Sequence, residues 1–171
     1  MDRRYPTGTM EAALSTPTDY TADVREIGSF PERVKSLLSG LSPKQLTQHY
    51  REGSWTIPVL VHHCADSHMH AYLRTKRALT EPEPAIAPYD EAPTAELPDY
   101  TLPLEPTLLL LEGLHARFVG LLAGLTTEQR ARTYLHTGHN RLFTVAEVAR
   151  LYAWHGRHHL AHMKLAAFEP V

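Results

Sequence analysis

The chain of 171 residues predicts an all-α fold, a single four-helix bundle. Four long segments carry apolar residues at helical spacing, with capping or stop residues at their ends. The first half of the chain echoes the second at a spacing of 84. Leu37-Leu38-Ser39-Gly40-Leu41-Ser42 matches Leu121-Leu122-Ala123-Gly124-Leu125-Thr126, then Gln45 matches Gln129 and Tyr50 matches Tyr134. Thr56-Ile57 matches Thr144-Val145 after four extra residues, so two related units, each a helix, a short turn and a longer helix, account for the bundle. Eight of the twelve histidines fall in two clusters, one on the second helix and one on the last.

Residues 1–16 hold Pro6 and Gly8, show little periodicity and read as an extended arm. Thr16-Pro17-Thr18-Asp19 has the form of a helix start, and a helix is expected over 18–39. Pro31 predicts a kink near Phe30. Val34, Leu37, Leu38 and Leu41 give an apolar face, and Gly40 a stop. Ser42-Pro43-Lys44-Gln45 is a capping box opening one or two turns. After a turn at Arg51-Glu52-Gly53, Ser54 or Thr56 caps a second long helix over 55–80, with Pro58 in its tolerant first turn.

Residues 81–104 contain six prolines, a density at which no regular element is expected; a loop of that length is often functional. A third helix spans 105–123, marked by Leu108 to Leu111, Leu114, Phe118, Leu121 and Leu122, and stopped by Gly124. Thr126-Thr127-Glu128-Gln129 opens a short turn, and Thr137-Gly138-His139-Asn140 reads as a turn or hairpin tip. Thr144 caps a fourth helix over 145–168, with Glu147 completing a capping box.

A net charge of −2 gives no reason to expect nucleic acid or an anionic membrane as partner. The lone Cys64 excludes an intrachain disulfide and fits a reducing compartment. No signal-peptide pattern and no run of 18 apolar residues is present, so a cytoplasmic location is expected.

The last cluster is Trp154-His155-Gly156-Arg157-His158-His159-Leu160-Ala161-His162. On an ideal helix His155 and His159 fall about 40° apart, within the apolar stripe of Val148, Leu151, Tyr152 and Ala166. His158 sits on the edge of that stripe, and His158 with His162 forms a competing pair of equal spacing. Positions i and i+4 let two imidazoles reach one metal ion. A third ligand is expected from a facing helix, with His62, His63 and His70 as candidates. His63 shares a polar stripe with Thr56, Ser67, His70 and Arg74, which borders a pocket or faces water. Three ligands leave a coordination position open, as in catalytic rather than structural sites. Asp66, one turn from His63, either orients a ligand imidazole or is a solvated helix carboxylate. Cys64 reads as a packed small hydrophobe, and Trp154 and Tyr152 as core or interface. His68 and His70 are expected to stay unligated. Tyr89-Asp90-Glu91, in the proline-rich loop, reads plainly as a surface loop, with covering the site as the alternative.

These residues carry a resemblance. His63 within Trp55-Thr56-Ile57 and Val61-His62-His63-Cys64-Ala65-Asp66-Ser67-His68-Met69, with the last cluster, resembles the YfiT branch of the DinB/YfiT-like superfamily. Tyr5-Pro6-Thr7-Gly8, Phe30-Pro31-Glu32-Arg33-Val34-Lys35, Leu79-Thr80-Glu81 and Pro84-Ala85-Ile86-Ala87-Pro88-Tyr89-Asp90-Glu91 extend the likeness over nearly the whole chain. The resemblance implies a four-helix bundle with one divalent metal, zinc or nickel, per subunit on His63, His155 and His159. Cys64 departs from the usual leucine, with no effect expected on ligation. It further implies a metal-dependent hydrolase acting on a small molecule, often as a homodimer. Alternatives within the superfamily are transferases that use a low-molecular-weight thiol such as bacillithiol. The third reading is a non-catalytic metal-binding bundle. No HExxH pattern is present, which disfavours a protease.

Overall fold

The computed structural model describes residues 2–171. Its helices are α1 (Met10–Ser15), α2 (Tyr20–Ser39), α3 (Pro43–Leu46), α4 (Ile57–Thr80), α5 (Glu91–Thr94), α6 (Leu104–Ala123), α7 (Thr127–Arg130) and α8 (Val145–Phe168). Three short strands are β1 (Ala85–Ile86), β2 (Thr133–His136) and β3 (Arg141–Thr144). The long helices α2, α4, α6 and α8 make the four-helix bundle. α2 packs on α6 and α8, and α4 packs on the same two, so successive long helices within each half sit on diagonals.

The internal echo is visible in the hydrogen bonds. Gly40 N–H donates to the carbonyls of Leu37 and Leu38, and Gly124 N–H to those of Leu121 and Leu122. Ser42 with Gln45, and Thr126 with Gln129, form complete capping boxes. His49 pairs with Thr56 as an isolated bridge at the position where Thr133 pairs with Thr144. The four extra residues of the second half extend that bridge into the β2–β3 hairpin, whose tip holds Asn140 at φ 47°.

Two expectations need correcting. The N-terminal arm is not extended throughout: Thr9 accepts from Ala12 N–H and caps α1, where Glu11, Ala12 and Ala13 favour a helical turn. Met1 lies outside the described residues. The proline-rich loop also carries regular structure, namely β1, α5 and a 3-10 turn at Pro98–Thr101. Proline bars a residue from a sheet interior but favours extended backbone before it. Ala85 and Ile86, between Pro84 and Pro88, therefore pair in parallel with Leu135 and His136 on the sheet edge. This pairing ties the loop to the bundle.

α2 runs as one helix through the buried Pro31. Proline lacks the N–H that would bond the Ile27 carbonyl, and His115 Nδ1 takes that carbonyl instead, at 2.7 Å. α6 is apolar enough by length and hydropathy to cross a membrane, although it packs here against α2 and α4. Its Leu109 and Leu110 are exposed.

The core divides into two apolar clusters. One gathers Ile27, Ala71, Phe118, Phe143, Val148 and Ala153; the other gathers Phe30, Leu60, Ala65, Leu111, Leu160 and Met163. Each long helix passes from one cluster to the other, and on α4, α6 and α8 the crossing is marked by histidine. α8 lets Phe30 approach closely at Gly156, where an added Cβ would lie 3.0 Å from Phe30 Cδ2. Phe30 is fully buried and stacked against His68 and His115, so it cannot give way cheaply. Gly156→Ala is expected to cost about 1–3 kcal/mol and to lower Tm by roughly 3–10 °C. Thermal denaturation checks this, and an unchanged Tm would show that Phe30 can move.

Candidate metal centre

α4 and α8 face each other where the core changes cluster. His63, two turns into α4, points across the interface at His155 and His159, which stand one turn apart on α8. One nitrogen from each of the three rings lies within 4.8 Å of the others. The ring centroid of His63 is 5.4 Å from that of His155 and 4.7 Å from that of His159. His63 is fully buried. His155 and His159 keep some accessible surface, and both line the cavity described below.

The Nδ1 atom of each ring has a protein partner. His63 Nδ1 lies 3.4 Å from the Tyr89 hydroxyl, His155 Nδ1 3.1 Å from His68 Nε2, and His159 Nδ1 3.5 Å from His162 Nδ1. The Nε2 atoms are then the ones open to a shared ion, that of His155 lying 3.5 Å from the Ser67 hydroxyl. Burial lowers the pKa of His63 to about 4 and holds His155 and His159 well below the ordinary histidine range. Neutral imidazoles with free Nε2 lone pairs are the donor form that zinc, nickel, copper and iron accept. The residues present therefore fit a divalent metal.

The three histidines form part of the wall of a cavity of roughly 370 Å³. Ser67 and Arg74 from α4 line it with His63, so the polar stripe on that helix borders a pocket rather than water. Tyr89 and Glu91 of the proline-rich loop, with Tyr134, His136 and Phe143 of the sheet, complete the enclosure. Tyr89 and Glu91 thus lie over the site rather than in a plain surface loop. Tyr89 stacks on His70 with rings 4.3 Å apart, which leaves His70 away from the three converging nitrogens. Burial raises the Glu91 carboxyl above the usual carboxylate range, the nearby Arg74 charge opposing.

Other expectations stand differently. Asp66 does not orient a ligand: it accepts a hydrogen bond from the Tyr100 hydroxyl at 2.7 Å. His62 lies near the Thr107 hydroxyl, on the side of α4 away from the cavity. Cys64 is fully buried with its thiol pKa pushed up by desolvation, as expected of a packed side chain. His158 is more buried than its edge position suggested, and His162 is buried beside it, because the N-terminal arm covers both. His158 Nδ1 lies 3.3 Å from the Thr7 hydroxyl, and His162 donates from Nε2 to the Arg3 carbonyl at 3.1 Å. His115, a lone histidine in a leucine-rich helix, gave no sequence signal.

The fold and the site define a class of protein: a four-helix bundle carrying three converging histidines in a cavity between two of its helices. The chain belongs to the DinB superfamily, whose sequence profile matches residues 28–163. A Halalkalibacterium halodurans protein named "Putative metal-dependent hydrolase" is 41% identical over 167 residues, covering 97% of each chain. A Bacillus cereus protein of the same name is 44% identical over 167 residues, covering 95% of this chain and 94% of the relative. The solved structure of YfiT from Bacillus subtilis, described as a probable metal-dependent hydrolase with an unusual four-helix bundle topology, superposes with a TM-score of 0.90. It shares 34% identity, with 99% of this chain and 98% of that one covered.

Proposed function

We propose that the protein is a metal-dependent hydrolase whose ion is held by His63, His155 and His159. The observation that carries this reading is the convergence of those three imidazoles in the wall of a covered cavity. The names of its relatives support it. Held by these three histidines, a divalent ion would supply Lewis-acid activation of water. Glu91 lines the same cavity and is the carboxylate placed to act as a proton acceptor there. Tyr89 lies over His63 and, with Tyr134, Phe143 and Trp154, gives the cavity an aromatic wall. Zinc or nickel suits the all-nitrogen set. The proposal includes a small-molecule substrate and a homodimer in the cytoplasm.

The test is elemental analysis of untagged protein, then a screen of small amides, esters and other hydrolysable compounds with and without low-molecular-weight thiols. About one metal per protomer and turnover without thiol are expected. Turnover only when a thiol is present would replace hydrolysis by thiol transfer. Metal binding with no turnover on any compound would leave a metal-binding bundle.

A further inference from the structure

Arg74 lies three turns beyond His63 on α4 and lines the same cavity. It is 7% exposed. Among the described residues no carboxylate comes within 4 Å of its guanidinium, and its buried Nε has no hydrogen-bond partner. Tyr134, His136 and Tyr152 line the cavity with it. Glu91, on the same cavity, feels the Arg74 charge but does not reach pairing distance. Arginine stays charged throughout the accessible pH range, and burying a cation without a counter-charge is costly. A planar fork of N–H donors is built to take a carboxylate or phosphate with two parallel bonds.

We infer that Arg74 is an anion-binding subsite of this cavity, and that the substrate carries a carboxylate or phosphate group seated on it. The inference rests on reading the cavity as the substrate site. Eleven residues separate Arg74 from His63, a rise of about 16 Å along α4. The arginine side chain leans back toward the helix N-terminus and shortens that gap. The substrate is therefore an extended molecule with its anionic end several bonds from the bond to be cleaved.

The experiment uses metal-free protein, so that its outcome does not depend on the metal reading. Inorganic phosphate and glutarate are titrated separately at constant ionic strength while Tm is followed. A rise in Tm of the wild type with at least one of them, lost in Arg74→Gln, is expected; which anion acts tells phosphate from carboxylate. Arg74→Met without anion is expected to be at least as thermostable as the wild type, since no ion pair is lost. An equal response in Arg74→Gln, or no response in the wild type, would overturn the subsite. So would a large loss of stability in Arg74→Met, because it would show that the charge is satisfied within the protein.

A second observation concerns the tautomer of His155. His155 Nδ1 meets His68 Nε2 at 3.1 Å, His68 Nδ1 meets His115 Nε2 at 2.9 Å, and His115 Nδ1 meets the Ile27 carbonyl at 2.7 Å. The carbonyl accepts only, so His115 carries its proton on Nδ1 and accepts on Nε2. His68 must then donate from Nδ1 and accept on Nε2, and His155 must donate from Nδ1. The geometry points to His68 and His115 as positioning residues that fix the tautomer of His155 and leave its Nε2 unprotonated, toward the cavity and the Ser67 hydroxyl. The chain starts from Pro31, whose missing N–H frees the Ile27 carbonyl. The Arg3 carbonyl and His162 make the same argument for His159, through a longer contact of 3.5 Å.

Nitrogen-15 spectra of histidine-labelled, metal-free protein at neutral pH read the tautomers directly. Protonated Nδ1 and bare Nε2 are expected at His68, His115 and His155. His68→Phe, which keeps a ring against Phe30, is expected to weaken zinc binding about 10- to 100-fold in chelator competition. A proton on Nε2 of His68, or unchanged zinc affinity in a folded His68→Phe protein, would refute the relay. Should that variant fail to fold, the wild-type tautomers alone decide.

Discussion

Alanine at His63, His155 or His159 is expected to weaken binding of the divalent ion on the order of 10²–10³-fold for each change and to abolish turnover. Apparent binding energies of four-ligand zinc sites run to roughly 10–16 kcal/mol, so one ligand carries about 3–4 kcal/mol of it. The three donors come from two helices, so no pair forms the full set. His155 and His159 alone supply the i, i+4 pair of α8, and without His63 on α4 they lose the group that bridges the helices. The loss shows in two measurements. Calorimetric titration with zinc gives the affinity. Thermal denaturation gives the linkage, since an ion present at 1,000 times its Kd stabilises the native state by about 4 kcal/mol. Wild-type Tm should rise when metal is added, and the alanine variants should not respond. A His158→Ala protein is the control, since its ring stacks on Trp154 and its Nδ1 lies 3.3 Å from Thr7. It should keep the metal response. Retention of metal by all three ligand variants would mean that the ion sits elsewhere.

Acid should unfold the metal-free protein well above the pH at which most bundles fail. Burial depresses His63, His115, His158 and His162 to a pKa of about 4, and holds His68 well below the ordinary range. In the unfolded chain these histidines titrate near 6.5. Between about pH 6.5 and 4 the unfolded state thus binds more protons than the native one, so stability falls as pH falls. Above pH 6.5 the contribution is complete and flat. Each histidine that stays neutral in the fold adds a slope of about 1.4 kcal/mol per pH unit. Four of them can consume a typical stability of roughly 5–15 kcal/mol within about one to three pH units. An unfolding midpoint near pH 5 is expected by far-UV circular dichroism, and bound metal should move it lower, because proton and ion compete for the same Nε2 atoms. A protein stable without change down to pH 4 would show that these histidines protonate freely inside the fold.

The bundle was legible because its signals are local. Gly40 and Gly124, the two capping boxes and the leucine spacing fix where helices start and stop, and the repeat of all of them predicts the second unit from the first. The pair His155 and His159 was legible for the same reason, since spacing on one helix is a local property. The choice among His62, His63 and His70 was not, because it depends on how α4 is rotated against α8. Residue spacing left that choice open and the family resemblance settled it; the structure brings His63 to the pair. Residues whose role depends on partners far along the chain stayed hidden. His115 bonds a carbonyl 88 positions away, and Asp66 binds Tyr100 rather than a ligand ring. The strand at Ala85–Ile86 was missed because its partner β2 follows about fifty residues later, while proline density argues locally against any element.

X-ray absorption at the metal edge of untagged, zinc-loaded protein tests the central claim most directly. The spectrum should show imidazole scattering from three nitrogens at about 2.0–2.1 Å, falling to two in His63→Ala if that variant is loaded at high zinc. A spectrum without imidazole scattering, or one unchanged by His63→Ala, would contradict a metal centre built by His63, His155 and His159.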